Sequence, residues 1–403
     1  MTIRRGLLSD YFNGVAVKRL RTVEIDALRS NQREFNSSNQ LKKMLGTPDR
    51  VRYTARFLWL GGEQDALAED GFLTWYESRK PPRREHRLYF PSNAVCAAAS
   101  EGDTLFIARR TNDTLLAIIV PGDSTIQNQL LWLFGLDEQP ALRFESMDIG
   151  AEAAELDFAA RCILDELGIE IEETEVDLLD EILSKLKGQF PTTAAFSELA
   201  RHSLPDVNPL DGADAALMAW LEREEAMFRR LERTIVGERL KSGFLSGDEA
   251  DIDGFIAFSL GVQNRRKSRA GFSLENHLAT IFKARALQFH HGATTEGKAR
   301  PDFLFPGAAA YRDAAFPAER LTLLGSKSTC KDRWRQVLSE GARVAQKHLI
   351  TLEPSISESQ TDEMKMHGLQ LILPKSLHAT YKPAQRAWLM DLAAFIEMVE
   401  RRQ

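Results

Sequence analysis

Three residues in the C-terminal half have side chains that together could act on a phosphate group. Asp302 follows a proline and comes directly before the apolar stretch 303–305, although aspartate is a poor strand former. Lys327 ends the next apolar run, and Glu275 lies on a predicted helix before both. If the two apolar runs pair as a hairpin, Asp302 and Lys327 meet at one edge of a sheet. The helix could bring Glu275 to the same edge.

Two carboxylates and a lysine at one point have a specific chemical use. Carboxylate oxygens hold a hard cation such as Mg²⁺. The cation binds a phosphate oxygen and lowers the pKa of a bound water, and a lysine stabilises the charge that builds on phosphorus. The spacing alone leaves another interpretation open. Asp302 could cap a strand that begins at a proline, Lys327 could be a surface residue, and Glu275 could be a solvated helix acid.

Two basic stretches flank these three residues. Before Glu275 stand Arg265, Arg266, Lys267 and Arg269, and after Lys327 stand Lys331, Asp332, Arg333 and Arg335. Arginine and lysine contact DNA phosphates, arginine can pair with guanine, and an aspartate can accept from cytosine. Each stretch could instead be a solvated face. Their position on both sides of one carboxylate and lysine group favours contact with DNA.

Composition excludes several classes of protein. The chain has 403 residues, 43% of them hydrophobic and 27% charged, which is enough for a sizeable core and for two or three domains. The net charge of −6 excludes a surface that is basic throughout, but it allows local basic patches. The three cysteines have no metal or disulfide spacing, and no secretory signal, membrane span or nucleotide-binding Gly-rich loop is predicted. We therefore expect a cytoplasmic protein with no membrane partner and no nucleotide cofactor.

The predicted secondary structure changes along the chain. Residues 1–150 are predicted to form a strand-rich domain, in which the turn TNDT joins two strands and the helix QNQLLWLFGL ends at Gly135. Residues 151–190 are predicted to be an acidic, solvated helical linker. Residues 191–403 alternate helices and strands, which predicts a mixed sheet flanked by helices. The predicted fold class is α/β, with a strand-rich N-terminal domain of which a β-pseudobarrel is one form.

Individual elements of the C-terminal domain can be predicted from apolar periodicity. Helices are expected over 213–243, over 272–289 with Ser273 as its cap, and over 330–346, with a closing helix at the C-terminus. Strands are expected at DFLFP, RLTLLGSK, HLITLE and LQLILP. The basic stretch 264–271 would then precede the helix that carries Glu275.

Three blocks of this sequence resemble the catalytic domain of the EcoRII-like type II restriction endonucleases. They are NRRKSRAGFSLENHL, TTEGKARPDFLFPGAAAYRD and SKSTCKDRWRQVLSEGARV, in this order. The resemblance covers about residue 190 to the C-terminus. It implies a PD-(D/E)xK nuclease fold and Mg²⁺-dependent hydrolysis of double-stranded DNA. Residues 1–145 do not match the N-terminal domain of those enzymes.

The resemblance also implies roles for individual residues. Glu275, Asp302 and Lys327 would be the catalytic trio, with Glu275 and Asp302 as metal ligands, and Tyr311 matches a tyrosine near the family's site. Residues 331–333 (Lys331, Asp332 and Arg333) match a run that reads the outer CC:GG pairs of the target. The strand 324–327 lacks the acid of the D/E-x-K pattern, as the EcoRII-like branch does, so Glu275 must replace it.

The N-terminal domain has its own basic and aromatic stretch, WYESRKPPRREHRLYFPSN. Its candidate DNA-binding residues are Lys80, Arg83 and Arg84. Such interleaving suits a DNA groove or an unstacked base, although a charged loop between core strands would look the same. The domain is predicted to be a second DNA-recognition module, which could bind a second target copy or read a modified base such as 5-methylcytosine.

The sequence as a whole predicts a Mg²⁺-dependent type II restriction endonuclease. It would act on double-stranded DNA as a homodimer, because each strand needs one site and a two-fold dimer matches a palindromic target. Two alternatives stay open: a modification-dependent endonuclease of the same fold, and a non-cleaving DNA-binding protein with a degenerate nuclease domain. A weaker third alternative is a repair nickase.

Overall fold

The structure is a computed structural model, and it describes most of the chain. The described residues are 6–25, 33–61, 67–79, 85–136, 139–150, 156–171, 176–186, 188–246, 249–330 and 333–403. Five of the predicted DNA-binding residues, Lys80, Arg83, Arg84, Lys331 and Asp332, lie outside them, as does the side chain of Lys267. The chain divides into two compact units. One comprises Arg4–Glu172 with Ser355–Ser357, and the other comprises Glu173–Pro354 with Glu358–Gln403.

The first unit is built on an eight-stranded mixed sheet. Its strands are β1 (Phe12–Arg19), β2 (Glu34–Asn36), β3 (Arg50–Trp59), β4 (Leu67–Arg79), β5 (Glu85–Tyr89), β6 (Thr104–Arg110), β7 (Leu115–Val120) and β8 (Glu145–Asp148). Its helices are α1 (Thr22–Ile25), α2 (Asn39–Leu45), α3 (Ala94–Ala98), α4 (Thr125–Phe134) and α5 (Phe158–Glu166). The order across the sheet is β2-β5-β4-β3-β7-β6-β1-β8, and only β3 and β7 run parallel among these pairs.

Side chains of this sheet alternate between two cores. On β6, Phe106 packs into the core on one face and Ile107 into the core on the other, as the two-residue period of a strand requires. Phe35 on the edge strand β2 lies 6.3 Å, ring centroid to ring centroid, from Phe144 beside the other edge strand. The sheet therefore curls until its edges approach, which agrees with a β-pseudobarrel. The predicted β6–β7 hairpin and the end of α4 at Gly135 are confirmed.

The second unit begins with four helices and continues as a mixed sheet. The helices are α6 (Val176–Leu183), α7 (Thr193–His202), α8 (Ala213–Ser242) and α9 (Ile252–Ala284), with a two-strand ribbon of β9 (Leu245–Ser246) and β10 (Glu249–Ala250) between the last two. The sheet strands are β11 (His290–His291), β12 (Phe303–Phe305), β13 (Thr322–Lys327), β14 (Lys347–Thr351) and β15 (Leu369–Ile372). The remaining helices are α10 (Ala308–Arg312), α11 (Trp334–Leu338), α12 (Glu358–Met366), α13 (Pro383–Arg386) and α14 (Leu392–Arg402).

The five strands lie in sequence order, β11-β12-β13-β14-β15. The first three pair antiparallel and the last three pair parallel, so the sheet is mixed and has helices around it, as predicted. Phe282 of α9 packs edge-on against Phe303 and Phe305 of β12, with ring centroids 5.2 and 5.3 Å away. This aromatic contact fixes α9 against the strand that follows Asp302. None of the helices in the described ranges is long and apolar enough to cross a membrane.

Four predicted elements differ from the structure. The single closing helix expected over residues 383–402 is two helices, α13 and α14, because Asp391 caps a new helix start. The helix expected over 272–289 is the end of α9, which begins at Ile252 behind an Asp251 cap, so Ser273 is buried inside it. No proline interrupts 252–271, and α9 runs on through the basic stretch 264–271. The helix expected over 330–346 shrinks to α11, because Gly341 adopts a left-handed φ of 62°. Helix α6 is not fully solvated, since Leu179 and Leu183 are buried against α8.

Gly325 in β13 explains why the strand lacks an acid at the D/E-x-K position. A Cβ there would lie 2.6 Å from Cγ2 of Val337 on α11, so no side chain fits. We expect Gly325→Ala to destabilise the protein by about 1–3 kcal/mol through overpacking. Thermal unfolding measures this. In Gly261→Ala, on exposed α9, nothing lies within 4 Å of the new Cβ, and stability should rise by about 0.5–1 kcal/mol. Equal melting temperatures for the two variants would contradict the packing.

Candidate active site

Asp302 and Lys327 meet at one end of the antiparallel pair β12–β13. The register pairs Phe303 with Leu324, which sets Asp302 beside the end of β13. The ammonium of Lys327 donates to Oδ2 of Asp302 over 2.8 Å, and the backbone N–H of Ser326 donates to the same oxygen over 2.6 Å. Both side chains are largely covered. The meeting predicted from a hairpin is therefore observed.

Glu275 of α9 approaches the same edge. Its carboxylate accepts a hydrogen bond from Nε2 of His291 on β11, over 2.8 Å. Burial raises the pKa of the Glu275 carboxyl above its ordinary value. The hydrogen bond from His291 opposes this rise, and the negative charge of Asp302 adds to it. The charges of Asp302 and Lys327 therefore both act on the pKa of the Glu275 carboxyl.

Glu340 is a third carboxylate at this edge, and the sequence did not indicate it. It stands between the end of α11 and the left-handed Gly341. Burial raises the pKa of its carboxyl, the charge of Asp302 raises it further, and Lys327 lowers it. Its Oε2 atom is buried without a hydrogen-bond partner. In a helix that continued to residue 346, Glu340 would have been an unremarkable acid. The only sequence signal was Gly341, which can end such a helix.

Tyr311 lies in a neighbouring pocket. Its hydroxyl donates a hydrogen bond to the Glu296 carboxylate, with Oε1 at 2.5 Å and Oε2 at 2.7 Å. The same hydroxyl oxygen accepts a hydrogen bond from the backbone N–H of Arg343 over 3.3 Å. Glu296, Tyr311 and Arg343 help to line a cavity of about 450 Å³. The hydrogen bonds of Tyr311 thus go to Glu296 and Arg343 rather than to Asp302, Lys327 or Glu275. Its predicted catalytic role stays a prediction.

The basic stretch before Glu275 lies within α9 and faces protein partners. Arg266 forms an ion pair with Glu232, in which Nε and Oε2 are 2.7 Å apart. Arg269 is buried, pairs with Glu225 and stacks over Phe228. Arg265 is exposed and stacks over Phe190 at 4.2 Å from the ring centroid. Of these arginines, Arg265 is the most open to a DNA contact, which stays a prediction for all of them.

Arg333 and Arg335 are both exposed after Lys327. Arg333 donates to the carbonyl of Thr329 over 3.0 Å and to its hydroxyl over 2.6 Å. Arg335 pairs with Glu363 through both of its terminal nitrogens and stacks over Trp334. These are surface contacts that a phosphate could replace, so the predicted DNA contacts of both arginines remain open.

The donor atoms at this edge suit a hard cation. Asp302, Glu275 and Glu340 are all carboxylates, the oxygen ligands that Mg²⁺ prefers. The buried, unpartnered Oε2 of Glu340 is an atom that a cation would satisfy. Within the described ranges, no group of three or more His, Cys, Asp or Glu residues is already drawn together at ligand distance. In this structure Lys327 and the Ser326 amide supply the donors at the Asp302 carboxylate.

Comparisons with known proteins include a family match to the part of the chain that carries this edge. A family described as EcoRII C terminal matches residues 228–396. The type II restriction enzyme EcoRII of Escherichia coli is 47% identical over 190 residues, which are 47% of this chain and 46% of that protein. The chain therefore spans about half the length of this curated relative. All three blocks noted in the sequence lie within 228–396, so the resemblance to the EcoRII-like enzymes is confirmed for this segment.

Solved structures of one further protein also match. Metal-depleted Ecl18kI in complex with uncleaved, modified DNA has a TM-score of 0.45 and 17% identity, covering 56% of this chain and 83% of that one. Metal-depleted Ecl18kI in complex with uncleaved DNA has a TM-score of 0.40 and 18% identity over the same shares.

Proposed function

We propose that this chain is a type II restriction endonuclease that hydrolyses phosphodiester bonds in double-stranded DNA with Mg²⁺. The observation that carries the proposal is the Asp302–Lys327 ion pair at the end of β12–β13, whose charges shift the pKa of the nearby Glu275 and Glu340 carboxyls. This edge lies in residues 228–396, the segment that matches the EcoRII C terminal family. A capping aspartate and a surface lysine would not account for two further acids converging on the same point.

Asp302, Glu275 and Glu340 are the residues that would hold the cation. Bound Mg²⁺ supplies a Lewis acid for a phosphate oxygen and lowers the pKa of a coordinated water. β12 and β13 hold Asp302 rigidly, since Ser326 donates its backbone N–H to the Asp302 carboxylate. A rigid mount keeps ligands in the geometry that catalysis needs.

Lys327 is the cationic residue of the proposed mechanism. Water attacks phosphorus in line with the leaving oxygen, and negative charge builds on the phosphoryl oxygens. The ammonium of Lys327 would stabilise that charge and help to position the water. Its contact with Asp302 holds it at the edge before substrate arrives. Tyr311, Arg265, Arg333 and Arg335 are proposed to lie along the DNA path.

Each strand of the duplex needs its own site, so we propose that two copies act together. One segment of the chain supports this. Large apolar side chains are exposed on β9 and on the first half of α9, namely Leu245, Ile252, Phe255, Ile256 and Leu260. Several large apolar side chains exposed within one short segment are typical of a protein contact. A second copy is the partner that cutting both strands requires.

The proposed contact predicts a monomeric variant. We expect Ile256→Glu with Leu260→Lys to halve the mass measured by light scattering, because both changes put a charge at the centre of the apolar surface. The pair also forms a favourable i,i+4 combination on the helix, so α9 should stay folded. Met366→Lys is the control, since this apolar residue is more exposed and lies on α12. A double variant with unchanged mass, or a wild type of one-chain mass, would contradict the contact.

The first unit is proposed to be a second DNA-recognition module. Arg50, Arg52 and Arg56 lie an even number of residues apart on β3, with Thr54 between the last two, so they share one face, and all three are exposed. Arg52 stacks over Phe72 of β4 at 3.5 Å from the ring centroid, which adds an aromatic surface beside the arginines. Basic and aromatic side chains on one sheet face suit the phosphates and bases of DNA. Such a module could bind a second target copy or read 5-methylcytosine.

Digestion of two plasmid preparations, one cytosine-methylated and one not, tests the proposal against its rivals. With Mg²⁺, discrete fragments from the unmethylated plasmid alone support a conventional restriction enzyme. Fragments from the methylated plasmid alone would make the enzyme modification-dependent, and single-strand breaks alone would indicate a nickase. Tight binding without cutting of either plasmid, or of a larger DNA, would favour a non-cleaving DNA-binding protein.

A further inference from the structure

His291 lies beside the candidate active site and was not among the residues singled out in the sequence. It is on β11, opposite Phe303 in the antiparallel pair β11–β12. The backbone N–H of the next residue, Gly292, donates to the carbonyl of Asp302 over 3.0 Å. A backbone hydrogen bond thus joins the end of β11 to Asp302, the residue with the central carboxylate.

The imidazole ring of His291 is held between two side chains. Its Nε2 is 2.8 Å from Oε2 of Glu275. Its ring packs against the ring of Phe303, with centroids 5.0 Å apart. Phe303 is fully buried and packs on Phe282 of α9, the helix that also carries Glu275. One face of the ring therefore rests on the buried Phe303, while the side chain as a whole is about half exposed.

The hydrogen bond has one direction when Glu275 is ionised, the state in which it would bind a cation. An ionised carboxylate has no proton to donate, so Nε2 of His291 must carry the hydrogen and Glu275 must accept it. Among the described residues, Oε1 of Glu275 accepts no hydrogen bond. The contact thus uses one carboxylate oxygen and leaves the other for a ligand.

From this geometry we propose that His291 is a positioning residue for Glu275. It holds Oε2, limits rotation of the Glu275 side chain and directs Oε1 towards the edge where Asp302 and Lys327 meet. Partners of this kind, which hold a ligand rather than bind the metal, typically change metal affinity by about 10–100-fold when they are removed. The inference rests on the proposed function, because it gives Glu275 a metal to bind.

His290 provides a matched control. It is the neighbouring residue on β11, is exposed and projects to the opposite side of the strand. His291→Ala is expected to weaken Mn²⁺ binding, measured by electron paramagnetic resonance without DNA, by about 10-fold or more. His291→Gln, which keeps an N–H donor, should recover part of the affinity. His290→Ala should bind Mn²⁺ as the wild type does.

A double-mutant cycle separates positioning from a general loss of structure. If His291 acts through Glu275, adding His291→Ala to Glu275→Gln should cost almost nothing further in Mn²⁺ affinity. In cleavage assays His291→Ala should raise the Mg²⁺ concentration for half-maximal rate more than it lowers the rate at saturating Mg²⁺. Wild-type Mn²⁺ affinity in His291→Ala, or additive losses in the cycle, would overturn the inference. A wild type that binds Mn²⁺ but cuts no DNA would instead contradict the proposed function.

Discussion

Replacing Asp302 by asparagine is expected to lower the rate of DNA cleavage by about 10³-fold or more, since the substitution removes the negative charge at the centre of the proposed metal site. Asp302 accepts from both Lys327 and Ser326, and both Glu275 and Glu340 sense its charge. Asparagine keeps the shape of the side chain but is a poor ligand for a hard cation. The measurement is the single-turnover rate of DNA cleavage at saturating Mg²⁺.

The same variant should remain folded. Asp302→Asn relieves repulsion between carboxylates while it loses the ion pair with Lys327, so we expect a melting temperature close to that of the wild type. Asp313→Asn is the matched control, because Asp313 is exposed and lies directly after α10 in the same part of the chain. Cleavage by Asp302→Asn at a rate comparable to the control would remove Asp302 from the site.

Glu340→Gln is expected to have opposite effects on activity and on stability. We expect the cleavage rate to fall by about 10²–10³-fold, because one of the carboxylates proposed to hold the cation is lost. The melting temperature should rise at neutral pH. Burial and Asp302 raise the pKa of the Glu340 carboxyl, which means that folding disfavours its charged form. An uncharged amide avoids that unfavourable contribution.

The sign follows from linkage. A carboxyl whose pKa is higher in the folded than in the unfolded protein destabilises the fold above its unfolded pKa, and this effect fades as pH falls. The stability gain of Glu340→Gln should therefore shrink in acid, which thermal unfolding at several pH values would measure. Glu319→Gln, at an exposed position, is the control for both readouts. A Glu340→Gln enzyme as active as the control would show that Glu340 is only a buried acid.

The sequence predicted the part of the site that depends on local pattern. β12 and β13 are short apolar runs, and a hairpin is the simplest way to pair them, so the meeting of Asp302 and Lys327 could be foreseen. Glu340 could not be, because its position depends on Gly341 turning the chain after one short helix. His291 was equally hidden, since β11 has only two residues and shows no strand period.

The basic stretch before Glu275 shows a different limit of sequence reasoning. The charges of Arg266 and Arg269 predicted an exposed surface, but acidic residues on α8 pair with both. Those partners are more than thirty positions away in the sequence, and only the antiparallel packing of α8 on α9 brings them together. In the N-terminal unit, β3 and β7 are also distant in the sequence, and no local pattern predicts that they pair in parallel.

The central claim is that the Asp302 edge is a Mg²⁺-dependent nuclease site, and a Mg²⁺ titration of DNA cleavage tests it most directly. Wild-type protein and Asp302→Asn would be incubated with a large, sequence-diverse DNA at increasing Mg²⁺, with a chelator as the zero point. If this edge is the site, discrete double-strand fragments will appear with Mg²⁺, vanish with the chelator and be absent with Asp302→Asn. Fragments that form equally well in the chelator, or equally well with Asp302→Asn, would contradict it.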